Sequence, residues 1–208
     1  MQKILTEYES DKILSGYIPV AKNKLVKKLE HIKNLKFPLA LKIISKDALH
    51  KSDIKGVRIV KSRQELRENF NNLLKIGKKL KLKLDGILVQ DYFEGQNFII
   101  GIKKDETFSH IILFGIGGIY TEIIKDFSIR KCPINEKEAQ GMMNELKAKE
   151  IFHGFRNIKL NTKLLKKVLV VVSNIPKRYP EIKELDINPF ILDSRRGYVV
   201  DSRMVIQG

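Results

Sequence analysis

The stretch LALKIISKDALHKSDIKGVRIV, residues 39–60, decides how the rest of the chain is read. Its first seven residues, Leu39 to Ser45, are apolar and partly β-branched apart from Lys42, the pattern of a strand buried on both faces. Lys46 to Lys55 is polar and predicts a loop, and Gly56 to Val60 predicts a second strand. A lysine in a nearly continuous apolar strand is costly to bury uncompensated, so Lys42 must meet an anion or snorkel to solvent. The loop carries His50, Lys51, Ser52 and Asp53, with Gly56 just after it. Backbone amides, a hydroxyl and a lysine suit a phosphate there, and a histidine beside an aspartate suits a base or a phosphoryl acceptor. A solvated loop histidine with no role has the same local sequence.

On the N-terminal side, Ala21 to Leu35 places Leu25, Leu29 and Ile32 at helical spacing, with Pro38 as a stop. On the other side, Ser62 and Glu65 form a capping-box pattern, and Leu66, Phe70, Leu73 and Leu74 line one helix face behind it. Asp85-Gly86 is a turn signal before a strand over Ile87 to Phe93. Asn97 to Lys103 and Ser109 to Phe114 predict two antiparallel strands joined at Lys104 to Thr107. A glycine-rich turn (Gly115, Gly117, Gly118) leads to a strand or short helix through Ile124. Helices are predicted over Glu136 to Lys149 and Thr162 to Asn174, and a closing hairpin over Ile187 to Leu192 and Tyr198 to Val205. Hairpins and helices alternate, which predicts an α+β fold of two lobes with mixed and antiparallel sheets, not a doubly wound parallel sheet.

Composition sets the outer bounds. The chain has 208 residues, 43% of them apolar, enough to bury a substantial core. The formal charge of +16 raises the local concentration of anions such as nucleotides, phosphate, coenzyme A or nucleic acid. Its lysines are spread between apolar residues as solvated faces, and no zinc finger, basic zipper or RNP signature accompanies them. Cys132 is the one cysteine, which excludes an intrachain disulfide and a cysteine zinc cage; before Pro133 it reads as packing. No apolar run approaches the roughly 20 residues of a membrane helix, and Met1 to Ser10 lacks an apolar signal core. A cytoplasmic location without a membrane partner is the expectation.

Two further clusters carry chemistry. Phe114 to Arg130 (FGIGGIYTEIIKDFSIR) combines the Gly117-Gly118 pair, where backbone can approach a ligand, with Glu122, Asp126 and Arg130 at fourfold spacing. Glu184 to Pro189 (ELDINP) puts Glu184, Asp186 and Asn188 on one strand face by the period of two, with Asp201 further on. Oxygen ligands of this kind suit Mg²⁺, which takes one or two carboxylates plus nucleotide phosphates. A polar strand face toward solvent has the same pattern.

Taken together, LKIISKDALHKSDIKGVRI, ILVQDYFEGQNFIIGI, FGIGGIYTEIIKDFSIRKCPI, ELDINPF and VVDSRMVI resemble the β subunit of ADP-forming acyl-CoA synthetases (acetate–CoA ligases), an ATP-grasp domain. The resemblance runs in the family's order from about Gly16 to the C-terminus, and the chain is similar, more remotely, to the nucleotide-binding subunit of succinyl-CoA synthetase. It implies a two-lobed ATP-grasp fold, with residues 1–92 as the histidine-bearing lobe and 93–208 as the Mg-nucleotide lobe. It implies an acid–thiol ligase that interconverts acyl-CoA, ADP and phosphate with carboxylate, coenzyme A and ATP. The partner is a CoA-binding α subunit carrying a phosphohistidine, in an α2β2 heterotetramer, and nucleic acid is not expected.

By the same resemblance, His50 matches the relay histidine and Asp186 the acid that orients the partner's phosphohistidine. Lys42 matches the lysine on the nucleotide phosphates, joined by Lys51, Ser52 and Gly56 from the loop. Val89, Gln90, Asp91 and Phe93 match the hinge strand at adenine and ribose, with Glu122 also at the nucleotide, while Asn188 and Asp201 match the Mg²⁺ ligands of bound ATP or ADP. The chain departs from the family in three places. Lys55 stands where the first of two glycines is usual, Asn97 where a glutamate is usual, and Arg156-Asn157 where an Arg-Gly pair is usual. Two other classes stay open on the residues: an ATP-grasp carboxylate ligase working through an acyl phosphate, which needs no histidine, and a basic nucleic-acid-binding module.

Overall fold

The computed structural model describes residues 2–32, 35–47, 54–118, 125–157 and 159–208. It divides into two compact units, Ala21–Phe93 and a larger one made of Met1–Val20 with Glu94–Gly208. The larger unit begins with β1 (Gln2–Leu5) and α1 (Glu7–Leu14), capped by the Thr6 hydroxyl and the Glu9 carboxylate.

The smaller unit holds β2 (Asn23–Val26), β3 (Leu39–Ser45), β4 (Val57–Val60), α2 (Arg63–Lys79) and β5 (Leu84–Asp91). Its sheet runs β2-β5-β3-β4 with every neighbour antiparallel. The Ser62 hydroxyl accepts from Glu65 N and the Glu65 carboxylate accepts from Lys61 N, so α2 starts where the sequence predicts. Leu66, Phe70 and Leu73 then pack on Leu39, Leu41, Ile43, Ile87 and Val89. The helix expected over Ala21 to Leu35 is not formed. Asn23–Val26 is an edge strand on β5, followed by a short 3-10 turn at Leu29–His31. Leu29 and Ile32 still lean on the core, so their spacing reported burial and not helicity.

In the larger unit, β6 (Gln96–Asp105), β7 (Ser109–Ile116) and β8 (Phe127–Lys131) precede α3 (Glu136–Glu145) and α4 (Thr162–Arg178). Then come β9 (Ile182–Leu192), β10 (Gly197–Val199) and β11 (Ser202–Gln207). The sheet order is β1-β11-β9-β6-β7-β8, with β10 continuing on β9 beyond the end of β11. One core joins Phe98, Ile100, Ile112, Phe114, Leu185 and Ile187 of the strands to Met142, Met143, Leu165, Leu169 and Val172 of α3 and α4. Phe98, Phe114 and Phe152 form a triangle of rings, with Phe98 stacked on each of the others at centroid distances of 5.5 and 5.8 Å.

The sequence reading kept residues 1–92 together, whereas the first twenty pack with the larger unit. The reason is pairing far along the chain: β1 lies antiparallel on β11, with Leu5 opposite Met204. Leu14 and Ile18 enter the larger core, and the Ser202 hydroxyl donates to the buried Asp11 carboxylate at 2.6 Å. Helix α3 stops four residues short of the expected Lys149, at Glu145. Asp126 draws the chain away by accepting from Lys147 N at 2.7 Å and Ala148 N at 2.9 Å. The expected strand Tyr198 to Val205 is interrupted at Val200 and Asp201, between β10 and β11. Among the described residues no helix is long and apolar enough to cross a membrane.

Candidate active site

In the smaller unit, register decides which side chains share a face. Lys42 lies opposite Val57 and Leu88, and Gln90 lies opposite Ala40 and Asn23. Strand alternation therefore turns Ala40, Lys42, Ile44, Leu88 and Gln90 away from α2, the reverse of Leu41 and Val89. This second face is also buried: Lys42 is 6% exposed and Gln90 1%. Gln90 Nε2 is buried with no hydrogen-bond partner, a donor left over on the face that carries the lysine. Val89 points its side chain into the α2 core, so only its backbone remains for a ligand. Asp91 and Phe93 are half-buried at the strand's end, and Asp91 N donates to Lys22 O at 2.9 Å.

Ile43 N donates to Gly56 O at 2.9 Å, which places the buried Gly56 where β3 and β4 come together after the loop. Lys55, in the position where the family favours glycine, sits at φ 53°, the left-handed region. His50, Lys51, Ser52 and Glu122 lie outside the described residues.

The larger unit brings the other set together. On β9, Leu185 and Ile187 face the core while Glu184, Asp186 and Asn188 face the opposite way. A bulge follows: Phe190 opposes Phe98 and Ile187 opposes Ile100, so β9 spends three residues where β6 spends two. Asn188 and Pro189 occupy this irregularity, and both bond across to the break between β10 and β11. Asn188 N donates to Asp201 O at 3.0 Å, and Val200 N donates to Pro189 O at 3.1 Å. Asp201 thereby stands across from Asn188, and Arg203 across from Asp186.

Burial, reinforced by the carboxylates of Asp201 and Glu184, pushes the Asp186 carboxyl up to about 6, against an opposing pull from Arg203. Like charges gathered around Asp186 make this a site short of positive charge. Among the described residues no three His, Cys, Asp or Glu side chains converge as a metal cage. The Asn188 amide oxygen and the Asp201 carboxylate are instead the sparse oxygen set that Mg²⁺ uses when phosphates and water complete its shell. The donors fit the ion.

Other expectations change. Gly117 makes a close approach within the protein: it donates to Asn97 O at 2.8 Å, and a Cβ there would sit 3.0 Å from the Asn97 carbonyl carbon. Gly118 follows at φ +111°, a conformation that glycine supplies cheaply. Asp126 holds the chain after α3, and Arg130 pairs with Glu145, so both are structural. His110 Nε2 donates to Ile182 O at 2.8 Å, and Nδ1 lies 3.1 Å from the Ser109 hydroxyl, so both ring nitrogens are engaged within the protein. Burial pushes the Cys132 thiol up to about 12, as expected of a packing cysteine. Sequence reasoning missed Arg203, whose only signal was its place two residues after Asp201.

Two antiparallel-paired sheets, one carrying a buried lysine and the other an Asn–Asp pair at a strand break, are the features of an ATP-grasp protein. The ATP-grasp domain family matches residues 1–206, and the chain belongs to that family. Within it, the chain is 36% identical over 220 aligned positions to the β subunit of ADP-forming acetate–CoA ligase II of Pyrococcus furiosus, covering 98% of this chain and 92% of that one. It is 37% identical, over 82% of its length, to ADP-forming acetate–CoA ligase I of Archaeoglobus fulgidus, of which it spans only 25%. Among solved structures it superimposes on the dinucleotide-forming acetyl-coenzyme A synthetase 1 of Ca. Korarchaeum cryptofilum with a TM-score of 0.94, at 33% identity over 99% of this chain and 94% of the other. A second structure of that enzyme holds coenzyme A and Mg-AMPPCP with its phosphohistidine segment pointing towards the nucleotide binding site, and matches with a TM-score of 0.87 at 32% identity, over 99% and 93% of the two chains.

Proposed function

We propose that the chain is the nucleotide-binding β subunit of an ADP-forming acyl-CoA synthetase, an acid–thiol ligase acting with a CoA-binding α subunit. The observation that carries this reading is the set Asp186, Asn188 and Asp201, held on one open face by the bulge in β9 and the break before β11. The likeness to ligase β subunits over nearly the whole chain supports it. In the proposed reaction the α subunit takes acyl-CoA and phosphate to carboxylate and coenzyme A and presents a phosphohistidine. His50 then accepts the phosphoryl group and passes it to ADP. A neutral imidazole is the right acceptor, because its nitrogen lone pair attacks phosphorus and the N–P bond formed keeps the return to ADP feasible.

Asp186 would accept a hydrogen bond from the ring N–H of the docking phosphohistidine and so hold one tautomer. Lys42, with Lys51, Ser52 and Gly56, would neutralise the nucleotide phosphates. Gln90 offers its unpaired Nε2–H to the base, while Val89 contributes backbone and Asp91, Phe93 and Glu122 complete the adenosine contacts. Asn188 and Asp201 would hold Mg²⁺, which when bound spreads the charge that develops on the transferring phosphoryl oxygens. The net charge of +16 suits anionic substrates. An α2β2 assembly, a cytoplasmic location and an acyl selectivity residing in the α subunit complete the reading.

The test is phosphorylation by labelled ATP with Mg²⁺, with and without the α subunit, for wild type and His50→Ala. Acid-labile, base-stable label on the chain that vanishes in the variant is expected. Turnover that survives in His50→Ala would sink the relay and favour an acyl-phosphate ligase. Salt-sensitive nucleic-acid binding with no saturable Mg·nucleotide site would sink the enzyme reading altogether.

A further inference from the structure

The carboxylate face has one cation set directly into it. Arg203 on β11 is the register partner of Asp186 on β9, just as Asp201 is tied to Asn188 by the backbone bond between them. The four side chains form a two-by-two patch, because residues two apart on a strand point the same way and lie about 7 Å apart. On the other side of Asp186 the register partner is Gly101, which brings no side chain. Although Arg203 and Asp186 face each other, among the described residues neither a hydrogen bond nor an ion pair joins them. The Nε of Arg203 is buried and has no hydrogen-bond partner. A buried guanidinium N–H left open beside a carboxylate is a poor arrangement for stability alone. It is a good one for a visiting anion, since guanidinium presents planar, always-charged donors that match phosphoryl oxygens.

Charge balance points the same way. A phosphoryl group brought to Asp186 must also pass Glu184 and Asp201, and three carboxylates repel it. A metal on Asn188 and Asp201 offsets one of them, and Arg203 is the cation paired in register with Asp186 itself.

We propose that Arg203 binds the phosphoryl group of the incoming phosphohistidine while Asp186 holds that histidine's ring. This rests on the relay reading above and adds a residue to it. The step it serves breaks the N–P bond of the donor imidazole and forms an N–P bond on His50. The bonding pair returns to the donor ring, which takes up one proton as the ring of His50 gives one up, so charge and protons balance. Arg203 remains protonated throughout and forms no bond.

The test uses the full chain with N-phosphoimidazole, the smallest donor with the same N–P bond, and reads ATP formed from Mg·ADP. Arg203→Gln should lower turnover at saturating Mg·ADP about 100-fold, the scale of losing one preorganised charge-stabilising donor. Its Mg·ADP affinity should stay within about twofold of wild type, and added guanidinium ion should restore part of the rate, which a merely structural arginine would not allow. Inorganic phosphate should compete with the donor in wild type and lose that competition in the variant.

Wild-type turnover in Arg203→Gln overturns the proposal, and so does a parallel loss of Mg·ADP affinity, which would place the arginine on the nucleotide. If Arg203→Gln does not fold, Arg203→Lys is judged by the same two readouts. His50→Ala is run beside it. Wild type that makes no ATP from the donor removes the relay reading and the proposal together. A dead His50→Ala beside a fully active Arg203→Gln removes the proposal alone.

Discussion

The two units each set polar side chains on the sheet face away from their helices, but under different dielectric conditions. In the smaller unit, Lys42 and Gln90 lie on a face that is almost wholly buried, on a strand whose seven residues are all buried. In the larger unit, Asn188 is exposed and Asp186 and Asp201 are half-buried. The contrast follows from desolvation. Taking a cation out of water is costly, and an anion that meets it there is bound strongly by one group. Several carboxylates together could not be buried so deeply without losing their charge, and the upward displacement of Asp186 shows that limit being approached. A partly wet face suits the Mg²⁺ site proposed at Asn188 and Asp201.

The comparison is broken most directly by removing one charge from each side. Asp201→Asn should cut Mg-dependent turnover about a thousandfold, as expected when charge stabilisation of phosphoryl transfer is lost. In metal-free solution the same substitution should lower the Asp186 pKa from about 6, because a like charge that raises it is gone; carboxyl NMR titration reads this. The sign for stability follows. A carboxyl raised from 3.8 to about 6 binds its proton more tightly in the native state, so stability falls as pH rises through that window. Asp201→Asn should flatten the fall in denaturant titrations made between those two pH values. Lys42→Met should weaken Mg·nucleotide binding about 100-fold, the scale of losing one preorganised charged donor, as read by nucleotide titration. A large loss of stability would show that Lys42 serves the fold first.

Smaller effects sharpen the contrast. Gln90→Leu removes an orphaned donor and should stabilise the protein by about 1 kcal/mol in urea titrations while weakening nucleotide binding several-fold. Cys132, its thiol pushed up to about 12, should resist iodoacetamide at pH 7.5 in the native state and react fully on unfolding. Lys55→Gly relieves a left-handed lysine but loosens the unfolded chain. The two terms nearly offset, and the melting temperature should move by no more than about 2–4 °C.

Much of this was legible in the sequence because it is local. The strand around Lys42, the Ser62–Glu65 start of α2, the β6–β7 hairpin and the alternation of Glu184, Asp186 and Asn188 all depend on neighbours a few residues away. What was not legible depends on distant pairing. Nothing in Gln2 to Leu5 announces a partner at Met204 to Gln207, and nothing after Glu145 announces that Asp126 will accept its amides. Leu29 and Ile32 lean on the α2 core after the edge strand, whereas Leu25 lies opposite Leu88 on the other sheet face. Their shared helical period therefore reported burial on two faces of one sheet. The bulge at Asn188 was hidden for a related reason. Period-two alternation predicts faces only while the register runs unbroken, and Arg203 could be matched to Asp186 only once the break at Val200 and Asp201 was known.

That bulge gives β9 two reading frames. Residues 184–187 keep step with β11, and residues 190–192 keep step with β10. A one-residue deletion within the first frame would send Asp186 into the core and draw Ile187 out to solvent. The same deletion at the bulge itself would leave both frames in phase with their partners and remove only the displacement that sets Asn188 against Asp201. The strand therefore behaves as two spliced messages, one for packing and one for chemistry, and the junction is where length can drift between descendants without scrambling either.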